Sequence, residues 1–150
     1  MRQNPSFALD DLTEIRRIVR EHPWATLVSA TSTGLQVSHY PVVLEGDDLT
    51  IVSHVGRPDD AIHELGEHDV VVILQGPHGY VSPGWYDAQL AVPTWNFITV
   101  HLHGRPELLA GGQRCRVGRG GCGERRRDAR RVRVHLAAPR GAGVVDGLEH

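Results

Sequence analysis

The sequence predicts a mainly β domain of the α+β class, with antiparallel strands that close fully or partly into a barrel and two short helices. Short runs rich in β-branched residues alternate with turn residues through the first two thirds of the chain. Only two segments have helical periodicity, which disfavours an alternating βαβ sheet. At 150 residues, 40% of them apolar, the chain fits one domain with a modest core and excludes a large multidomain enzyme.

The two predicted helices are both short. Apolar residues recur at helical spacing in residues 10–22, with Asp10 or Asp11 as the N-cap and Pro23 ending the helix. The second helix begins near Pro58, where two aspartates favour a helix N-terminus.

The predicted strands are separated by turn residues. Residues 24–31 and 35–44 form a hairpin around Thr33-Gly34, and a third strand covers 49–55. The continuous apolar run 70–76 predicts a strand buried on both faces. The proline-rich stretch 77–96 predicts an ordered loop without a regular element. A last clear strand spans 97–109.

Composition changes near residue 111. Residues 1–110 contain all eight aromatic residues and have 6 Arg against 14 acidic residues, whereas residues 111–150 have 10 Arg against 4 and nine of the 17 glycines. The sequence therefore predicts a domain over 1–110, with a charge near −8, followed by an Arg/Gly-rich tail near +6 that is poorly packed at 111–131. Within the tail only residues 132–138 have the pattern of a strand.

Three interpretations of the tail stay open. It is a nucleic-acid-binding arm, a natural divergent tail, or the product of a GC-rich gene read out of frame. We favour the last, because the absence of Lys from the chain indicates a GC-rich gene. Residues 148–150 match a tag remnant, so His150 carries no argument. The acidic charge of residues 1–110 disfavours direct nucleic-acid binding by this domain. Because no membrane span or secretory signal is visible, we expect a cytoplasmic protein.

Motifs for metal binding or catalysis are weak. His101 and His103 are two apart on a predicted strand and so share a face, but no third ligand accompanies them, and we expect no metal site. Cys115 and Cys122 lie in the tail and predict neither a disulfide nor a redox role. No nucleophile elbow, Walker A or dinucleotide motif is present.

Two segments could contact a ligand. Residues 75–104 concentrate five aromatic side chains among prolines and glycines, which suits either a planar ligand or, more often, a cluster closing one barrel end. Residues 53–57, SHVGR, place hydroxyl, imidazole and guanidinium groups before a helix start, which suits a phosphate. Arg57 could equally form a surface pair with Asp59 or Asp60.

Five segments at these positions carry a resemblance to a known family. HPWATLVSA, VSHYPVVL, SHVGR, LQGPHGYVSPGWY and VPTWNFITVHLHG occur in this order within residues 5–109. They resemble the PaiB-type FMN-binding negative transcriptional regulators, within the FMN-binding split-barrel group. The resemblance implies a six-stranded antiparallel split barrel, a homodimer and FMN at the dimer interface. It also implies a role in repressing sporulation and protease genes. Family members continue well beyond residue 109 to a Lys-Leu-Ser-Gln-Asn motif that this chain lacks.

The resemblance also implies cofactor-binding residues. Ser53, His54 and Arg57 match the segment that binds the FMN phosphate. Ser38 and His39 match the strand beside the isoalloxazine ring. The candidates that complete the flavin pocket are Trp95 and Asn96.

Three functions are compatible with these observations. The leading hypothesis is an FMN-binding regulator, which would act through a protein partner. The alternative is an FMN-dependent oxidoreductase related to pyridoxamine-phosphate oxidases or flavin reductases, because flavin chemistry needs few diagnostic side chains. The third is a truncated product without activity. We further expect two chains to associate, since Trp85, Tyr86 and Trp95 need more cover than 110 residues supply.

Overall fold

Seven strands and two helices make up the described part of the chain. The computed structural model describes residue 9 and residues 11–85, 92–109, 129–136 and 143–145. The elements are α1 (Leu12–Glu21), β1 (Trp24–Thr31), β2 (Gly34–Glu45), β3 (Thr50–Gly56), α2 (Asp59–Ile62), β4 (Val70–Val81), β5 (Thr94–Leu108), β6 (Ala129–Leu136) and β7 (Gly143–Val145). A 3-10 turn, Pro83–Trp85, follows β4.

Six of the strands form a ring. The order is β4-β1-β2-β3-β6-β5, and β4 also pairs with β5, which closes the sheet on itself. All these pairings are antiparallel, and β7 adds to β5 at residues 97–99. The ring is irregular because the β2–β3 ladder ends at Val42–Ser53, which leaves residues 34–41 of β2 without a β3 partner. The predicted antiparallel split barrel with two short helices is confirmed.

Local sequence explains the first helix and the hairpin. Asp11 caps α1 by accepting a hydrogen bond from the Thr13 amide at 2.7 Å, which decides between the two predicted caps. Asp10 lies outside the described residues. The β1–β2 turn requires φ of +119° at Gly34, a conformation that glycine adopts without a Cβ clash.

Gly104 lies where three strands meet. It pairs with Val70 of β4 and Leu136 of β6, and a Cβ there would lie 2.3 Å from the His135 carbonyl oxygen. This close backbone approach leaves space only for glycine.

The core fills the inside of the ring. In β1, β3 and the first part of β4, inward-pointing residues alternate with outward ones, and Ile15, Ile18 and Val19 of α1 join the same core. The strand residues of this hydrophobic core are Ala25, Leu27, Val42, Ile51, Val55, Val70, Val72, Leu74, Val100, Leu102, Val132 and Val134.

Two predictions for strand β4 are wrong. Val71 and Ile73 are only half-buried, so residues 70–76 are not buried on both faces, because in this part of the chain the outer face has no second layer. The predicted loop at 77–96 is also wrong at both ends, since β4 continues to Val81 and β5 begins at Thr94. Pro77 falls within a bulge between Gln75 and His78, where its missing N–H costs no ladder bond. Residues 86–91 lie outside the described residues.

Strand β6 comes from the Arg/Gly-rich segment. It lies between β3 and β5, with Val132 and Val134 buried and Arg131 and Arg133 on the outside. The strand pattern recognised at 132–138 is thus found at 129–136. The division at residue 110 stays a prediction, and residues 110–128, with Cys115 and Cys122, and 146–150, with His150, lie outside the described part.

Candidate flavin site

An exposed aromatic pair lies on the outer face of the β1–β2 hairpin. The Trp24 and His39 rings are nearly parallel, with centroids 6.5 Å apart and an interplanar angle of 18°. His39 Nδ1 lies 3.1 Å from Thr26 Oγ1, which fixes the imidazole. Trp24 is 65% exposed although tryptophan strongly favours burial, so this pair offers a flat surface to a planar ring.

Ser38 points to the opposite face from His39. Its hydroxyl oxygen lies 2.8 Å from His63 Nε2, and His63 Nδ1 lies 2.9 Å from Ser29 Oγ. Burial lowers the pKa of His63, partly opposed by the charge of Asp59. Of the two residues expected beside the isoalloxazine ring, only His39 is on the exposed face, whereas Ser38 takes part in a buried network.

A tyrosine–aspartate hydrogen bond adjoins this network. Tyr40 donates to Asp59 Oδ2 at 2.6 Å. Burial and this contact raise the pKa of Tyr40 to about 12, while the Ser38 hydroxyl opposes the shift. The phenol therefore stays protonated at neutral pH and links β2 to the start of α2.

The three residues expected to bind the phosphate also differ in whether they face the inside or the outside of the ring. Ser53 donates its hydroxyl hydrogen to the Pro41 carbonyl oxygen at 2.8 Å, whereas His54 is exposed on the outer face. Arg57 is exposed in the turn between β3 and α2. The outward group is therefore His54 with Arg57, next to the gap where β3 parts from β2.

Trp95 and Asn96 lie on a two-stranded extension beyond the bulge. Trp95 pairs with Tyr80 in register and Asn96 with Gly79. The Trp95 ring contacts His78 at a centroid distance of 5.7 Å and Tyr80 at 6.3 Å. Among the described residues, no hydrogen bond or ring contact joins Trp95 to Ser53 or His54. Trp85, which we expected to need cover, is 71% exposed, and Tyr86 lies outside the described residues.

Sequence reasoning missed three residues of this region. Strand alternation alone could have identified Trp24, since it lies on the face opposite Ala25 and Leu27. His78 falls in the stretch expected to be irregular. No local signal identifies His63, because its serine partners are 25 and 34 residues away in the chain.

Side chains that could bind a metal ion lie close together at one place within the described ranges. Glu64, Glu67 and His68 have ligand atoms within 4.8 Å of one another. The Glu64 carboxylate already accepts hydrogen bonds from the Ser32 amide and hydroxyl and contacts His68 Nε2 at 2.8 Å. That carboxylate is satisfied without a cation, and the expectation of no metal site stays a prediction.

Comparison with known proteins identifies the family. A family model described as Putative FMN-binding domain matches residues 1–120. The chain belongs to this family. It is 34% identical over 107 residues to Protease synthase and sporulation protein PAI 2 of Bacillus subtilis (strain 168), across 69% of this chain and 51% of that protein. The resemblance to PaiB-type proteins is confirmed, and the family identifies FMN as the cofactor.

A second curated protein and a solved structure are also similar to this chain. Uncharacterized protein YKL070W of Saccharomyces cerevisiae is 27% identical over 84 residues, covering 51% of this chain and 50% of that protein. The flavocytochrome Anf3 of Azotobacter vinelandii superposes with a TM-score of 0.73 at 18% identity, over 100% of this chain and 75% of that one. The chain spans about half the length of the curated relatives it matches. No helix in the described residues is long and apolar enough to cross a membrane.

Proposed function

We propose that the outer face of β1, β2 and β3 holds FMN, with the ring against His39 and Trp24 and the phosphate toward His54 and Arg57. The observation that carries this proposal is the exposed, nearly parallel Trp24–His39 pair. It lies on the same face of the sheet as His54, with the exposed Arg57 three residues further along the chain. This donor set fits FMN, since aromatic rings suit the isoalloxazine, and an imidazole and a guanidinium offer N–H donors to the phosphate.

The inward-pointing serines act differently in this proposal. Ser38 and Ser53 bond to His63 and to a backbone oxygen, so they support the site from within the ring. Trp95, with Asn96 beside it, supplies cover from the two-stranded extension. Bound FMN would supply hydride and one-electron chemistry, and the protein would position it.

A homodimer is part of the proposal. Exposed apolar side chains on the outer face of the hairpin form what we call the hairpin face: Trp24, Leu35, Val37, Pro41 and Val43. Val28, Val71 and Ile73 extend it at half burial. Contiguous apolar surface of this kind marks an interface. A second copy suits it because the hairpin face includes the ring candidate Trp24, so one two-fold interface would cover both the apolar surface and the flavin.

We further propose that the protein is a negative transcriptional regulator that acts through a protein partner. Its similarity to a protein named for protease synthesis and sporulation supports regulation. Residues 1–110 contain 6 Arg against 14 acidic residues, and this negative charge disfavours direct contact with DNA. A cytoplasmic location stays a prediction.

An FMN-dependent oxidoreductase is the second candidate. The exposed cluster of His78, Tyr80 and Trp95 favours it, because it offers a second aromatic surface for a planar substrate or a nicotinamide donor. Steady-state oxidation of a nicotinamide donor, above a control with free FMN, would support the enzyme. A rate equal to that control would count against an oxidoreductase that uses a nicotinamide donor.

Comparison of FMN with riboflavin tests the cofactor site. We expect FMN to bind more tightly, because riboflavin lacks the phosphate that charge-assisted hydrogen bonds would hold. Arg57→Ala should weaken FMN binding about tenfold to a hundredfold and leave riboflavin unchanged. Arg20→Ala, which removes an exposed arginine from α1, is the control. Equal FMN affinity in the parent and Arg57→Ala would locate the phosphate elsewhere.

A further inference from the structure

A buried histidine lies behind the turn that carries Arg57. His63 follows α2 directly and is 1% exposed. Its two ring nitrogens lie 2.9 Å from Ser29 Oγ on β1 and 2.8 Å from Ser38 Oγ on β2. A neutral imidazole donates from one nitrogen and accepts at the other, so both nitrogens are satisfied by two neighbouring strands.

A second hydrogen bond ties the other end of the same helix to the sheet. Asp59, the first residue of α2, accepts from the Tyr40 hydroxyl on β2 at 2.6 Å. Tyr40 and Ser38 are two residues apart on β2 and point to the same side. The short helix is therefore fixed at its first residue and just after its last one.

The helix itself contributes no buried side chain to the core. It has four residues, no side-chain hydrogen bond at its N-cap and no buried residue of its own. A helix of this length is not stable by itself, because its nucleation is unfavourable. The β2–β3 ladder also ends before the turn, at Val42–Ser53. Side-chain hydrogen bonds thus attach α2 to the sheet, whereas apolar packing attaches α1.

We propose that the Ser29–His63–Ser38 chain and the Tyr40–Asp59 bond position the Arg57 turn for the FMN phosphate. Arg57 precedes Pro58 and Asp59 directly, so a shift of α2 moves the backbone of Arg57 with it. His63 is a positioning residue that does not touch the cofactor. This inference rests on the proposed phosphate site, and it assigns Ser38 to the support of Arg57 rather than to contact with the ring.

Two variants test the proposal against a matched control. His63→Gln breaks the serine chain, and Tyr40→Phe removes one hydroxyl and keeps the ring. Thr50→Val is the control, because it removes a buried hydroxyl bonded to His135 Nδ1 at 3.2 Å, at the far end of β3. Thr50 is seven residues from Arg57, about 20 Å along an extended strand.

The readout is the pair of dissociation constants for FMN and riboflavin, measured by flavin fluorescence on the full chain. We expect His63→Gln and Tyr40→Phe to weaken FMN binding about tenfold, as for one lost charge-assisted hydrogen bond, and riboflavin binding less than about twofold. Thr50→Val should change neither. A merely structural role would weaken both ligands together.

The outcomes separate this inference from the site on which it rests. If the parent binds riboflavin as tightly as FMN, the proposed phosphate site is wrong. If the parent prefers FMN and both variants keep that preference, the site stands and the positioning role is wrong. Equal losses for the two ligands, or a lost preference in Thr50→Val, also overturn the positioning role. Should His63→Gln fail to fold, Tyr40→Phe decides alone.

Discussion

Val37→Ser should weaken the proposed homodimer without unfolding the subunit. Val37 is 57% exposed and pairs with Val28 in register, which in turn pairs with Val71. It lies near the middle of the hairpin face, where substitutions in an interface cost most. Because the side chain lies on the outside of the ring, the subunit core keeps its packing.

The size of the effect follows from the exposed fraction. Complete burial of a valine side chain contributes about 1.5–3 kcal/mol. Because just over half of the Val37 side chain is exposed in the subunit, its burial in the interface would contribute about 1–1.5 kcal/mol to association. A two-fold interface contains the substitution twice, which gives about 2–3 kcal/mol. The dimer dissociation constant should rise about 30- to 150-fold.

Sedimentation over a range of protein concentrations measures this shift. Leu12→Ser is the control, since Leu12 is 52% exposed on α1, outside the hairpin face. Thermal unfolding should show little change for either variant. A parent that sediments as a monomer at tens of micromolar would refute the dimer. A Val37→Ser protein that dimerises as strongly as the parent would refute the assignment of the interface to the hairpin face.

Three further predictions concern single side chains. Burial lowers the pKa of His63, so the unfolded chain binds a proton at this residue more readily than the folded chain does. The contribution of the neutral His63 to the free energy of unfolding should be complete above about pH 6.5 and decline as the pH falls through the lowered pKa. Urea unfolding at several pH values should show a steeper decline in the parent than in His63→Gln, which keeps His101, a second histidine whose pKa burial lowers. FMN should quench tryptophan fluorescence, and Trp24→Phe should remove more of that quenching than Trp95→Phe; the reverse order would place the ring on the two-stranded extension. Leu102→Ala, at a fully buried position, should lower the free energy of unfolding by about 2.7–5 kcal/mol, which chemical denaturation measures.

Much of the ring follows from local sequence. Alternating β-branched residues and the Thr33-Gly34 turn predict the first hairpin, and apolar residues at helical spacing predict α1. These signals work because each depends on a few neighbouring residues. The strand at 77–81 was missed because Pro77 normally disfavours a strand, and nothing local shows that a bulge accommodates it.

The candidate site was less predictable than the fold. The motif segments contain His39 and His54, but they also contain Ser38 and Ser53, which point to the other face. Which member of each pair faces outward depends on where the ring lies, and that is a property of the closed sheet. The partners of His63 come from two strands that are distant in sequence, so its role depends on tertiary structure alone.

The place of β6 leads to a final prediction, on the limits of the domain. Residues 129–134 pair with β3 and residues 132–136 with β5, so β6 closes the ring between them. Its inward side chains, Val132 and Val134, are 3% and 6% exposed, and each contributes about 1.5–3 kcal/mol on burial.

A chain ending at residue 110 should therefore be less stable than the full chain. It would lose both buried valines and leave two strand edges unpaired, and an open edge also promotes association. Chemical unfolding of residues 1–110 and of the full chain measures the difference. Val134→Asp in the full chain is the companion variant, since it places a charge in the core while keeping every backbone group. Equal stability of the two chains would support a domain that ends at 110 and a tail outside the fold. A loss of stability in both the truncation and Val134→Asp would extend the domain to residue 136. It would also argue against the out-of-frame interpretation of β6. A segment translated in the wrong frame has no reason to alternate valine toward the core with arginine toward Glu45.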